Sequence, residues 1–118
     1  MNEPGADKVA AAKARMAELA AKFIDRSAGE LDSMRDSLAK LTAGEVGALN
    51  DLHHLAHRMC GTGATLGFDV LSDCAMRIEH LAEAQPLATI PADPVLTQIG
   101  AGIEALGAEI ARLRAAPG

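Results

Sequence analysis

Apolar residues recur at alternating steps of three and four positions in five separate stretches of the chain. That spacing places them on one face of an amphipathic α-helix. The five stripes cover residues 9–23, 31–41, 46–59, 68–82 and 96–113. The pattern therefore predicts five helices and no strands.

Polar and turn-forming residues separate these stripes. Ser27 stands three positions before Glu30, and Thr42 stands three positions before Glu45, which is the spacing of a capping box at a helix start. Glycines at 61, 63 and 67 follow the third stripe, and prolines at 86, 91 and 94 mark the last connection as a loop, with Pro94 suited to open the final helix.

Short connections favour antiparallel neighbours in a helical protein. We therefore expect an all-α fold, an antiparallel up-and-down four-helix bundle with an additional N-terminal helix that covers one end. A coiled-coil assembly is the alternative arrangement of the same stripes, and the short segments and frequent breaks disfavour it.

Composition supports one helical domain. The chain has 118 residues, of which 49% are hydrophobic, with no Trp, no Tyr and two Phe. Leucine and alanine favour helices, whereas the residue types that favour strands are scarce. We expect a bundle domain over residues 7–114, between a flexible N-terminus at 1–6 and a flexible C-terminus at 115–118.

The formal net charge of -5 disfavours nucleic acid and anionic membrane surfaces as partners. No apolar run reaches the roughly 20 residues that span a bilayer, and residues 1–16 lack the apolar core of a signal peptide. Two cysteines are too few for a disulfide scaffold. These features predict a cytoplasmic protein with no membrane and no nucleic acid among its partners.

The third stripe contains the residues with the clearest chemistry. His57 falls about 120° from the centre of its apolar face, so it should face solvent, and His54 and Gly61 lie on the same outer strip. An exposed imidazole is largely neutral near pH 7 and can attack a phosphoryl group. A helical glycine costs about 1 kcal/mol relative to alanine, so Gly61 points to close approach by another molecule. Arg58 is the nearest cation in sequence, although adjacent helical residues point about 100° apart.

The block Ala56-His57-Arg58-Met59-Cys60-Gly61, followed by Gly67-Phe68, Leu71-Ser72, Ala75 and Ile78-Glu79, resembles the histidine-containing phosphotransfer (HPt) family. The resemblance covers about residues 15–113. It implies that His57 is the phosphorylated residue and that Gly61 lets a receiver domain dock close to it. The family often has a lysine three residues after the histidine, where this chain has Cys60. Arg58, His54 and Cys60 are then the candidates for phosphoryl support and docking.

The same resemblance implies the partners of the site. A receiver domain of a response regulator supplies the aspartate that exchanges the phosphoryl group and the Mg²⁺ for catalysis, and a sensor or hybrid kinase feeds the relay. The chain itself would need no cofactor or metal. It has no phosphate-binding glycine loop with a lysine, so we expect a phosphohistidine shuttle without kinase activity of its own.

Two other classes of function are open at this point. One is a non-catalytic helical adaptor that binds signalling partners. The other is a metal-binding bundle, because His53 and His57 have the i, i+4 spacing of two helical ligands and Cys60 lies three residues further on. The absence of a His-Glu-x-x-His pattern disfavours the metal site.

Overall fold

A computed structural model describes residues 4–86 and 88–116 of the chain, without the side chain of Pro4. The described residues form four α-helices and no strand: α1 Pro4–Thr42, α2 Gly47–Thr65, α3 Asp69–Glu83 and α4 Asp93–Ala115. Each helix packs on its neighbours in sequence, and α1 also packs on α4, so the four helices surround one core. The all-α prediction is confirmed.

The separate N-terminal helix is not found. The first two predicted helices are one continuous helix of 39 residues, α1. Ser27 is 0% exposed inside this helix and occupies a core position between Phe23 and Leu31, four residues from each, so it joins the two apolar stripes. Its hydroxyl has no hydrogen-bond partner and does not cap a helix.

The second predicted capping box is not formed either. Thr42 is the last residue of α1, and its hydroxyl donates a hydrogen bond to the Leu38 carbonyl at 2.9 Å. The chain then turns at Gly44, whose φ of 98° suits glycine, and α2 begins without a side-chain cap. The prediction for the last helix holds, because Pro94 lies in the first turn of α4.

The predicted flexible ends lie only partly within the described residues. α1 begins at Pro4, so residues 4–6 are helical, and residues 1–3 lie outside the described part. α4 ends at Ala115, and residues 117–118 lie outside the described part. None of the described helices is long and apolar enough to cross a membrane.

Leucine, isoleucine, methionine and alanine from all four helices fill the core. The two phenylalanines, Phe23 of α1 and Phe68 before α3, stack with ring centroids 5.7 Å apart. The largest fully buried side chains are Met34, Leu41, Leu52, Met59, Leu71, Ile78, Ile99, Ile103 and Leu106. Because these residues anchor α2 and α3 from within, they fix the outward-facing positions of the same two helices.

Candidate functional site

The site lies on the outer surface where α2 and α3 pack side by side. The chain reverses between them, and the Phe68 amide donates a hydrogen bond to the Gly63 carbonyl at 2.8 Å. Further from the turn, Ser72 pairs with Cys60 and Glu79 pairs with His57, so the two helices are antiparallel. A Cβ on buried Gly63 would lie 3.1 Å from Leu71 Cδ2, which shows how closely the helices approach.

His57 projects from α2 towards solvent, and a carboxylate on α3 contacts one of its ring nitrogens. The side chain of His57 is 67% exposed, whereas that of Glu79 is 14% exposed. His57 Nδ1 lies 3.0 Å from both carboxylate oxygens of Glu79. An ionised carboxylate only accepts hydrogen bonds, so Nδ1 carries a proton and donates a hydrogen bond to Glu79. In the neutral ring this leaves the lone pair on Nε2, the nitrogen on the other edge of the ring.

Glu79 also changes the protonation equilibrium of His57. Its hydrogen bond and its negative charge raise the pKa of His57 above the ordinary 6.5, with a smaller contribution from Glu83, and desolvation opposes the shift. The carboxylates favour the charged ring. A larger fraction of His57 is therefore protonated near neutral pH than for an isolated histidine, and the neutral form increases as the pH rises through the raised pKa.

A shallow groove beside His57 presents positive charge and bare backbone. Its lining residues are Arg26, Glu30, His57, Arg58, Gly61, Thr62 and Thr65. A Cβ added to Gly61 would meet nothing within 4 Å, so this part of the groove is open to an approaching surface. Arg26 lies on α1 and pairs with Glu30 at 3.3 Å. Arg26 and Arg58 thus line the same groove as the exposed ring and give it two positive charges.

The structure brings three of the five predicted site residues together. His57, Arg58 and Gly61 line the one groove. His54 is exposed but lies in another groove of the α1–α2 surface, which Asp36, Lys40 and Arg58 also line. Arg58 therefore borders both grooves, whereas His54 borders only the second.

Cys60 is placed at the packed face between α2 and α3 and not among the groove residues. Its Sγ lies 3.4 Å from Ser72 Oγ, and the Ser72 hydroxyl donates a hydrogen bond to the Cys60 carbonyl at 2.8 Å. Ser72 is 4% exposed. These contacts give Cys60 a role in joining the two helices.

Two residues of the site were not assigned a role from the sequence, Glu79 and Arg26. Glu79 could have been predicted from the sequence. In an antiparallel helix pair that turns near Gly67, residues at similar distances from the turn, such as His57 and Glu79, lie opposite each other. Arg26 offered no comparable signal, since it lies on a helix whose rotation about its axis depends on the packing of the whole bundle.

The metal ligands considered from the sequence are not brought together as a trio. Among the described residues, the group of potential ligands that lies close together is His53, Glu79 and Glu83, with ligand atoms within 4.8 Å of one another. The ring of His53 stacks on that of His57 at 6.2 Å between centroids. Glu79 thus belongs to this group and to the hydrogen bond with His57.

Comparison with known proteins gives one match. The family model of the Hpt domain matches residues 18–116, which include every residue of the His57 groove and also Glu79. No curated protein and no solved structure matches the chain.

Proposed function

Since the chain belongs to the Hpt domain family, which performs histidine phosphotransfer in two-component phosphorelays, we propose that His57 is its phosphoacceptor. The observation that carries this assignment is the pairing of an exposed ring with a half-buried carboxylate at 3.0 Å. Exposure gives a protein-bound phosphoryl group access to the ring. The carboxylate selects which nitrogen attacks.

The proposed reaction is an exchange between a carboxylate and an imidazole. Nε2 of neutral His57 attacks the phosphorus of an aspartyl phosphate on a receiver domain; the Nε2–P bond forms and the bond from phosphorus to the aspartate oxygen breaks. The aspartate leaves as a carboxylate. Nδ1 keeps its proton throughout, so the ring becomes cationic, and the negative charge of Glu79 stabilises it. The reverse reaction passes the phosphoryl group to a second receiver.

The groove supplies the remaining requirements of the transfer. The phosphoryl group carries about -2 charge, and Arg58 and Arg26, which line the same groove as His57, are the guanidinium groups that we propose to support it. In this proposal the open backbone at Gly61 lets the receiver approach. The aspartate, Mg²⁺ and the catalytic groups belong to the receiver, and the chain needs no cofactor of its own.

The family places this chain among proteins that interact with receiver domains and histidine kinases. We propose a shuttle in the cytoplasm that receives the phosphoryl group from a sensor or hybrid kinase, or from its receiver, and has no kinase activity of its own. We also propose that the four helices run alternately up and down. The antiparallel α2–α3 pair, in which Glu79 lies opposite His57, supports this order.

The test is phosphoryl transfer from a panel of phosphorylated receiver domains to the wild type, to His57→Gln and to the control His80→Gln. His80 is an exposed histidine of α3 outside the groove. We expect acid-labile label on the wild type and on His80→Gln and none on folded His57→Gln. Label on His57→Gln would refute the assignment. A folded wild type that accepts label from no donor would favour the non-catalytic adaptor.

A further inference from the structure

The N-terminal part of α1 extends past the bundle with an uncovered apolar face. Residues 5–19 are all exposed, and the exposed fractions of Val9, Met16 and Leu19 are 55%, 50% and 51%, whereas Phe23 on the same stripe is 4% exposed. The end of α4 and α1 line a shared groove, in which Ala17 is the α1 residue nearest the N-terminus. The Hpt match begins at residue 18, so residues 5–17 of this extension lie outside it.

The extension has the spacing of a helix–helix seam. Val9, Ala12, Met16 and Leu19 follow one another at steps of three, four and three, and a further step of four reaches Phe23. Steps of three and four keep apolar side chains along one narrow line that packs against a second helix. Within the bundle the other helices cover the continuation of this line, whereas the extension has no cover from the described residues.

Charge is sorted around this seam. Four basic residues lie about 60–100° from the centre of the seam, and two acidic residues lie about 140–160° from it, on the back of the helix. The basic residues are Lys8, Lys13, Arg15 and Lys22, and the acidic residues are Asp7 and Glu18. Every charged side chain that would border a helix packed on the seam is therefore positive, in a chain whose formal net charge is -5.

The positive charges beside the seam indicate which kind of molecule can pack on it. In an antiparallel pair of two extensions, Lys8, Arg15 and Lys22 of one copy would face the same cations of the other, so a second copy is disfavoured. A membrane surface favours a wide apolar face with bulky or aromatic side chains. The seam instead is narrow, and one of its residues is Ala12.

We propose that residues 5–22 of α1 form a docking helix for an acidic amphipathic helix of a partner protein. The partner's apolar residues pack on the seam, and its carboxylates pair with the flanking cations. Since the bundle contributes most of the negative charge, the same partner is repelled elsewhere and is directed to the extension. This surface is separate from the His57 groove, and the proposal goes beyond phosphotransfer.

The experiment uses two fluorescently labelled synthetic helical peptides of three heptads and the full chain. Both peptides carry Leu at the seam positions; one carries Glu at the flanking positions and the other carries Lys. Four exposed charge pairs of ordinary strength strengthen binding by about tenfold, and four like-charge contacts weaken it by a similar factor. We expect anisotropy at low salt to show about 100-fold tighter binding of the acidic peptide than of the basic one, a preference that falls with added salt.

Variants locate the binding surface. Met16→Glu should abolish binding of the acidic peptide, whereas Met76→Glu, at an exposed methionine of α3, should not change it. Lys13→Glu with Arg15→Glu leaves two cations and two anions beside the seam, so it should remove the preference between the two peptides. His57→Gln should bind as the wild type does, so a failed docking proposal and a failed phosphoacceptor assignment give different results.

Four results would overturn the proposal. Equal affinity for the two peptides, or binding that survives Met16→Glu in a variant of unchanged helix content, would show that the seam and its charges do not select the partner. Sedimentation that reveals a dimer lost on Met16→Glu would assign the seam to a second copy. Flotation with phosphatidylserine–phosphatidylcholine vesicles that depends on Met16 would assign it to a membrane.

Discussion

Gly61→Ala should make the protein more stable and a poorer phosphoacceptor. The added Cβ meets nothing within 4 Å, so the folded chain accepts it without strain. Alanine in a helix interior is more favourable than glycine by about 0.5–1 kcal/mol, and Gly61 lies four residues before the end of α2, which places the gain towards the lower figure. The methyl group instead occupies the open surface beside His57, where we expect the receiver to approach.

The matched control is Gly29→Ala. Gly29 is also an exposed helical glycine with nothing within 4 Å of an added Cβ, but it does not line the His57 groove. It should give a similar gain in the free energy of unfolding, measured by urea denaturation, and no change in transfer. For Gly61→Ala, a displacement of the reacting groups by about 1 Å can cost up to about 100-fold in rate. We expect a loss of about tenfold.

Quench-flow transfer from one phosphorylated receiver to each variant measures this effect. Gly61→Glu should be slower still, because its carboxylate would repel the phosphoryl group. If Gly61→Ala is stabilised as Gly29→Ala is and transfers at the wild-type rate, then close approach at this position is not required, and the glycine needs another explanation. A loss of transfer in Gly29→Ala would show that the assay reports helix stability and not docking.

Three further predictions concern the α2–α3 pair. Because the pKa of His57 is raised, the transfer rate should rise with pH through a midpoint above 6.5. Glu79→Gln should lower that midpoint while keeping an acceptor for Nδ1–H, and Glu79→Ala should lower both the midpoint and the maximal rate. Identical pH profiles for the wild type and both variants would contradict the role of Glu79. Gly63→Leu should destabilise the fold by about 1–3 kcal/mol through overpacking against Leu71 and Phe23, as urea denaturation would measure, and an unchanged midpoint would show that the interface can expand. Ser72→Ala removes the hydrogen bond to the Cys60 carbonyl and should cost about 1 kcal/mol in the same assay, without a change in the pH profile of transfer.

Most of the helices could be predicted from apolar spacing and turn residues. At Ser27 both signals indicated a break that the structure does not have, because the serine–glutamate spacing of a capping box also fits the interior of a helix. The outcome depended on whether a small polar side chain could occupy the core, and Ser27 does so with 0% exposure. Sequence spacing describes one helix at a time, whereas this choice was decided by the helices that pack around Ser27.

The same distinction separates the predicted and missed parts of the site. The exposure of His57 follows from its angle on one helix, and the structure places it as expected, with 67% of its side chain exposed. Glu79 and Arg26 reach the site from other helices, so their positions depend on the register and separation of the packed elements. Those quantities are set by contacts such as Leu71 against Gly63, which helical periodicity does not reveal.

The role proposed for His57 requires both exposure and a fixed orientation, and these requirements conflict in a single side chain. Here the two are divided between helices: His57 is exposed, and Glu79, half-buried on α3, holds its ring. Glu79 is held in turn by its neighbour Ile78, which is 0% exposed. Ile78 packs so closely against α4 that a Cβ added to Gly102 would lie 3.1 Å from Ile78 Cγ1. The packing of α3 against α4 at Ile78, about 100° around the helix from Glu79, therefore helps to fix the carboxylate that contacts the His57 ring. A substitution at Gly102 should consequently disturb transfer without touching the groove.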